Sequence, residues 1–132
     1  PKSPTPDWWR SVIKLLDTHV VQIGVAGEEK LVQDVQFGLP LSEISKLVEK
    51  AATWVSVDSF LPHLAHHVGK RGVVVWSLSD PTHFGYQENI NLCNRKYMRT
   101  NQFGLWEAEA YTPEAFPDPA DVVKAVRSLT VV

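Results

Sequence analysis

VSVDSFLPHLAHHVGKRGVVVWS, residues 55–77, is the stretch whose reading decides the fold. TWVSV (53–57) is a β-branched run, and Asp58-Ser59 punctuates its carboxyl end. LPHLAHHV (61–68) takes up helical spacing and is stopped by Gly69. GVVVWS (72–77) then forms the most hydrophobic strand-like run of the chain. A strand, a helix and a strand in quick succession are the parts of a βαβ unit, in which the two strands run parallel.

Working outward, the same alternation continues upstream. Ser42-Glu43 opens a helix in which Ser42 can cap, with Ile44, Leu47, Val48 and Ala51 on one apolar face. VQFGLP (35–40) is a weak strand or loop, and Gly27-Glu28-Glu29-Lys30 is a candidate start for a short helix. HVVQIGV (19–25) reads as a buried strand. Thr5-Pro6-Asp7 combines a capping hydroxyl, a first-turn Pro and an acid, which predicts a helix over about residues 6–18. Downstream, 79–86 is a loop by composition and 87–105 gives no decisive pattern. Asp118 or Pro119 begins a terminal helix with Val122, Val123, Val126 and Leu129 on its apolar face. The expected fold is therefore α/β: an open, Rossmann-like parallel sheet with helices on both faces, in one domain over 1–132.

Composition narrows the function classes. The chain has 132 residues, 44% hydrophobic and 21% charged, enough for a core without disulfides or metals. A net charge of −2 gives no basic stripe for nucleic acid. No apolar run approaches the roughly 20 residues needed to span a bilayer, so no transmembrane segment is expected. PKSPTPDWW lacks the apolar core of a signal peptide. The single Cys93 cannot form an internal disulfide, which favours a reducing, cytoplasmic setting.

In open α/β sheets, ligands bind beyond the carboxyl ends of the strands. That directs attention to Gly24–Glu28, Asp58–His63 and Ser77–Gly85. At Asp58–His63 a helix begins directly after a strand, so free N–H groups and the helix dipole suit a phosphate. Ser59 adds a hydroxyl donor and His63 lies one turn in, while Asp58 suits backbone N–H groups, His63 or a sugar hydroxyl. The same residues also read as a plain helix cap beside a surface histidine. Ser77, Ser79, Thr82 and His83 are polar candidates in the next loop, which also reads as an ordinary turn. Glu28 or Glu29 could hold ribose hydroxyls or serve as a first-turn helix acid. GVAGEEK (24–30) matches neither GxGxxG nor the P-loop. His63, His66 and His67 come without HExxH and without Cys, Asp or Glu at zinc spacing, so no metal is expected. There is no GxSxG, and no residue qualifies as a general base or nucleophile, so no catalytic residue is assigned. Trp8 and Trp9 cannot both face one core, which leaves Trp9 for a partner domain or a ligand.

Taken in order, these segments resemble glycosyltransferase family 9, the ADP-heptose:lipopolysaccharide heptosyltransferases and their relatives. That family's pattern is a strand, Asp-(Ser/Thr)-Gly, two residues, His-Leu-(Ala/Thr), a short helix ending in Gly, a hydrophobic strand and a Gly-Pro-Thr-Asp-Pro-like loop. VSVDSFLPHLAHHVGKRGVVVWSLSDPTHFGY follows it here, with PDWWRSVIKLL, VVQIGVAGEE and GLPLSEISKLVEKAATWVSVD fitting upstream. The resemblance covers about residues 6–92.

It implies the carboxy-terminal half of a GT-B enzyme, which binds the nucleotide-sugar donor. An amino-terminal GT-B domain, absent from this chain, would supply acceptor contacts and the catalytic carboxylate. Residue by residue, it implies that Asp58, Ser59 and His63 serve the donor diphosphate with help from the backbone at Phe60 and Leu61. Glu28 would reach the ribose and Leu39 in Gly38–Leu41 would pack near the base; Ser79, read from its own loop, could line a polyanion pocket beside them. The donor would be a nucleoside diphosphate sugar, an ADP-sugar favoured, and the transfer would need no cofactor. The acceptor would be a glycan or lipopolysaccharide, and the parent enzyme would work in the cytoplasm at the inner membrane. Two positions depart from the pattern. Phe60 stands where the family has Gly, and SLSDP stands where it has Gly-Pro-Thr-Asp-Pro. A Phe cannot match glycine's positive φ or close backbone approach, which implies a shifted ligand or a lost one. The alternative is a degenerate Rossmann-like module kept for scaffolding or protein contact, with Phe60 filling the old pocket.

Overall fold

A computed structural model of the chain describes residues 4–77, 81, 85–93 and 115–130. Helix α1 spans Pro6–Leu16. Thr5 caps it, its hydroxyl accepting from the Trp8 N–H at 3.4 Å. It ends at Leu16 rather than at 18 because Asp17 turns left-handed (φ 49°) and donates its N–H to Ile13 O. Strands β1 (Gln22–Gly24) and β2 (Val35–Phe37) pair in parallel, Gln22 opposite Val35. Between them a turn over 25–28 is closed by the Glu28 N–H on Val25 O at 3.2 Å, and 27–30 forms no helix: Gly27 sits at φ 97°, which a helix cannot use.

Helix α2 is Leu41–Lys50. It starts one residue before Ser42, at a Pro40 N-cap with no side-chain capping bond. Pro40 arrives with its φ already restricted, and its carbonyl accepts the N–H groups of Glu43 and Ile44. Strand β3 (Val55–Val57), helix α3 (Phe60–Val68) and strand β4 (Val73–Val75) realise the expected βαβ unit. Gly69 closes α3 in the left-handed conformation, at φ 76°. Strand β5 (Ile90–Leu92) lies in the stretch that gave no pattern, and helix α4 is Pro119–Thr130.

The strands form two parallel ladders, β1-β2 and β3-β4-β5, with β4 in the middle of the second. Val73 and Val75 point to one face, where Val12 of α1 and Val122, Val123 and Val126 of α4 meet them. Val74 points to the other, among Ile44 and Val48 of α2 and Leu61 and Ala65 of α3. Helices thus cover both faces, as expected. Ile23 of β1 and Leu39 pack on this second cluster, joining the two-stranded ladder to the same core.

Chain direction fixes which edge carries the loops of interest. Lys70 lies just before β4, at the amino edge of the sheet, and donates to Glu49 O (3.0 Å) and Ala51 O (2.6 Å). A cation therefore satisfies the carboxyl end of α2 at that edge. A ten-residue helix is about 15 Å long, so Leu41 at its start lies toward the opposite, carboxyl edge. The turn after β2 and the Asp58-Ser59 turn after β3 thus share that edge.

Trp54 holds the amino edge together. Its ring lies over Gly72, its Nε1 donates to Lys70 O at 3.0 Å, and it is 7% exposed. A Cβ on Gly72 would collide with the ring. Gly72→Ala is expected to destabilise the fold by about 1–3 kcal/mol, the usual scale of overpacking. A fall in the denaturant midpoint at unchanged slope checks this.

Candidate functional site

Four of the expected residues come together at the carboxyl end of β3. Asp58 and Ser59 are partly buried, Phe60 opens α3, and Leu61 is buried at 7% exposure. Ser59 is the N-cap residue by position, in extended conformation, yet its side chain makes no capping bond. Its Oγ instead lies 3.1 Å from Ser56 Oγ. Ser56 commits its proton to Val57 O at 2.8 Å, so Ser59 is the donor in the pair. The plain-cap reading of Asp58-Ser59 therefore does not describe the Ser59 side chain.

The helix start is shaped by Pro62. It contributes no N–H, so the first turn presents those of Phe60 and Leu61, without a cap from Ser59. Phe60 brings no backbone strain, because Asp17 is the only non-glycine at positive φ among the described residues. The substitution of Phe for Gly is thus a matter of side-chain volume. That side chain is 51% exposed rather than packed over the strand ends.

His63 lies one turn in, as expected, with its side chain exposed. Its Nδ1 is 2.8 Å from the Tyr86 hydroxyl, with the rings edge to face at 5.4 Å. Tyr86 also stacks on His66, with centroids 4.1 Å apart and planes 11° apart. His66 Nδ1 in turn donates to Glu88 Oε1. A chain of side chains therefore ties α3 to the segment that leads into β5. Sequence reasoning missed Tyr86 and Glu88. The three-residue spacing of His63 and His66, which puts both on one helical face, was the available signal.

The remaining candidates are separate. Glu28 folds back within its own turn: Oε1 accepts from Val25 N at 3.3 Å, and the carboxylate lies against Gly24, where a Cβ would clash with it. Leu39 packs on the α2–α3 side of the core. Ser79, Thr82 and His83 lie outside the described residues. Trp9 is partly buried, edge to face with Trp8 at 4.9 Å, while Trp8 packs on the core and donates from Nε1 to Pro117 O. Among the described residues no three His, Cys, Asp or Glu side chains are grouped to hold a metal, and no helix is long and apolar enough to cross a membrane.

The arrangement is a helix start presenting two backbone donors, a hydroxyl donor and an imidazole at the carboxyl edge of a parallel sheet. Such a set of donors suits an anion with several oxygens. The sequence model of glycosyltransferase family 9 (heptosyltransferase) matches residues 9–109. The chain belongs to that family. Its α/β architecture, with parallel ladders and helices on both faces, fits a Rossmann-like portion of a GT-B enzyme. No curated protein and no solved structure matches the chain.

One electrostatic consequence is directly measurable. The hydrogen bond from His66, followed by one from the backbone, lowers the Glu88 pKa below the usual carboxylate range. Because the folded value is depressed, this contribution is present above the ordinary carboxylate pKa and is lost as pH falls through the folded one. A carboxyl-resolved NMR titration should find Glu88 titrating below the exposed glutamates. In His66→Ala it should move up toward them; an unmoved Glu88 would show that the contact does not persist in solution.

Proposed function

We propose that this chain is the nucleotide-sugar-binding domain of a two-domain glycosyltransferase, with the donor seated on the Asp58–His63 segment. The observation that carries the reading is the start of α3. In a family 9 chain, the N–H groups of Phe60 and Leu61 stand without a side-chain cap from Ser59 at the carboxyl edge, beside the Ser59 hydroxyl. A diphosphate there would accept from both N–H groups, from Ser59 once its proton turns from Ser56, and from His63. Those donors would meet the charge that develops on the leaving diphosphate, so that no metal is needed. Asp58 would orient the turn or accept from a sugar hydroxyl, Glu28 would serve the ribose, and Leu39 and Ser79 would border the base and the diphosphate.

The donor is a nucleoside diphosphate sugar, with an ADP-sugar favoured, and the sugar passed on is one such as heptose. The acceptor is a glycan or lipopolysaccharide, held with the catalytic carboxylate on a second, amino-terminal GT-B domain. The work is done in the cytoplasm, at the inner membrane surface. The exposure of the Phe60 side chain supports this reading over a scaffold whose old pocket Phe60 fills.

Calorimetry on the intact protein with ADP, GDP and UDP tests the proposal. Binding of at least one is expected, strongest for ADP. His63→Ala should weaken it by roughly ten-fold, the scale of a lost hydrogen bond to a charged group. Asp58→Ala should weaken it as well. Absence of heat with all three at millimolar concentration would remove donor binding as the function.

A further inference from the structure

The side chains around Tyr86 carry a role that neither the family pattern nor the helix start assigns. Tyr86 belongs to the segment before β5, 23 residues from His63, yet its hydroxyl meets His63 Nδ1 at 2.8 Å. Among the described residues His63 makes no second hydrogen bond, and its side chain is exposed. Toward a neutral imidazole whose Nδ1 carries no proton, the Tyr86 O–H donates and Nδ1 accepts. That places the imidazole proton on Nε2 and leaves an N–H donor for an incoming anion. If His63 is protonated, the Tyr86 oxygen accepts from Nδ1 instead, and Nε2 still carries a proton. In both states the ring is held by the same hydroxyl.

Tyr86 is itself held in place. Its ring stacks on His66, which Glu88 holds through its hydrogen bond. Its backbone carbonyl accepts from Asn91 Nδ2 at 2.9 Å, and Asn91 Oδ1 accepts from Nε1 of Trp76, which is 2% exposed. Gly85 brings the chain close enough for this. A Cβ there would lie 2.8 Å from Pro81 O and 3.1 Å from both Asn91 Oδ1 and the Trp76 ring. The line of contacts thus runs from a buried tryptophan to the exposed imidazole.

We infer that Tyr86 is a positioning residue for the anion site, its hydroxyl fixing the ring orientation of His63 so that Nε2–H is presented to the diphosphate of the donor. This rests on the donor-binding reading for its ligand, but the geometry it asserts exists without one. Tyr86→Phe is the appropriate variant, because it keeps the ring on His66 and removes only the hydroxyl.

Two measurements on the intact protein test the inference. In the absence of ligand, the ring-nitrogen NMR signals of His63 should change in Tyr86→Phe, and those of His67 should not. With ADP as the probe, Tyr86→Phe should weaken binding about five-fold, the scale of one net hydrogen bond, and should have no further effect in a His63→Ala background. A thermal midpoint close to that of the parent confirms that the variant folds. Unchanged His63 signals, or an equal loss of ADP affinity with and without His63, would overturn the positioning role. If the parent protein binds no ADP, the donor reading fails, and the ligand-free His63 signals still decide whether Tyr86 holds the ring.

Discussion

The structure depends on burying strand β4 from both sides. Val73, Val74 and Val75 are each at most 1% exposed, and all three residues take part in ladders with β3 and β5. A strand alternates its side chains, so burying three successive valines requires a helical layer above and another below. Helices α1 and α4 supply one layer, and α2 and α3 the other. At roughly 25 cal/mol per Å² of apolar surface, each fully buried valine is worth on the order of 1.5–3 kcal/mol over an exposed one. Once β4 is enclosed, the parallel register leaves little freedom. Val57, Val75 and Leu92 end level with one another, and whatever follows them emerges at one edge.

That edge gains its chemistry from backbone more than from charge. Within Asp58–His63 the sequence supplies no Lys or Arg, and Asp58 is itself negative. Attraction for an anion must come from the start of α3, where the peptide dipoles align and Ser59 makes no side-chain cap. Pro62 sharpens this arrangement, since it fits the first helical turn while leaving only Phe60 and Leu61 to present donors. Ser59 forgoes capping in favour of Ser56 and keeps a hydroxyl proton that a ligand can redirect. His63 adds the imidazole there, and its contact with Tyr86 ties the site to the β5 segment.

Much of this was legible in the sequence, for identifiable reasons. The valine run, the Gly69 stop and the Asp58-Ser59 punctuation are local signals whose meaning tertiary structure does not alter. The placement of α3 and β4 followed from them, and so did the edge to inspect. Helix α4 was equally plain, because Val122, Val123 and Val126 repeat at helical spacing. Strand β5 was not legible: Ile90–Leu92 carries Asn91 at its centre and follows polar residues, without the β-branched run that marked β3 and β4. Ser42 looked like a cap because serine is a good one, yet Pro40 with its restricted φ started α2 earlier. Glu28 looked like a helix acid, but Gly27 at positive φ made a turn instead. The pairing of His63 with Tyr86 joins residues 23 apart through an intervening strand, and only the assembled sheet creates it.

The central claim is that a nucleoside diphosphate seats on the first turn of α3. Amide-resolved NMR of the intact protein during titration with ADP tests it most directly, because the proposed contacts are backbone N–H groups. The account requires the Phe60 and Leu61 amides to shift most, with Ser59 and His63 moving alongside them. Saturable binding that left those amides unmoved, with shifts instead in the cleft lined by Ile90, Leu92, Asp121 and Lys124, would contradict it.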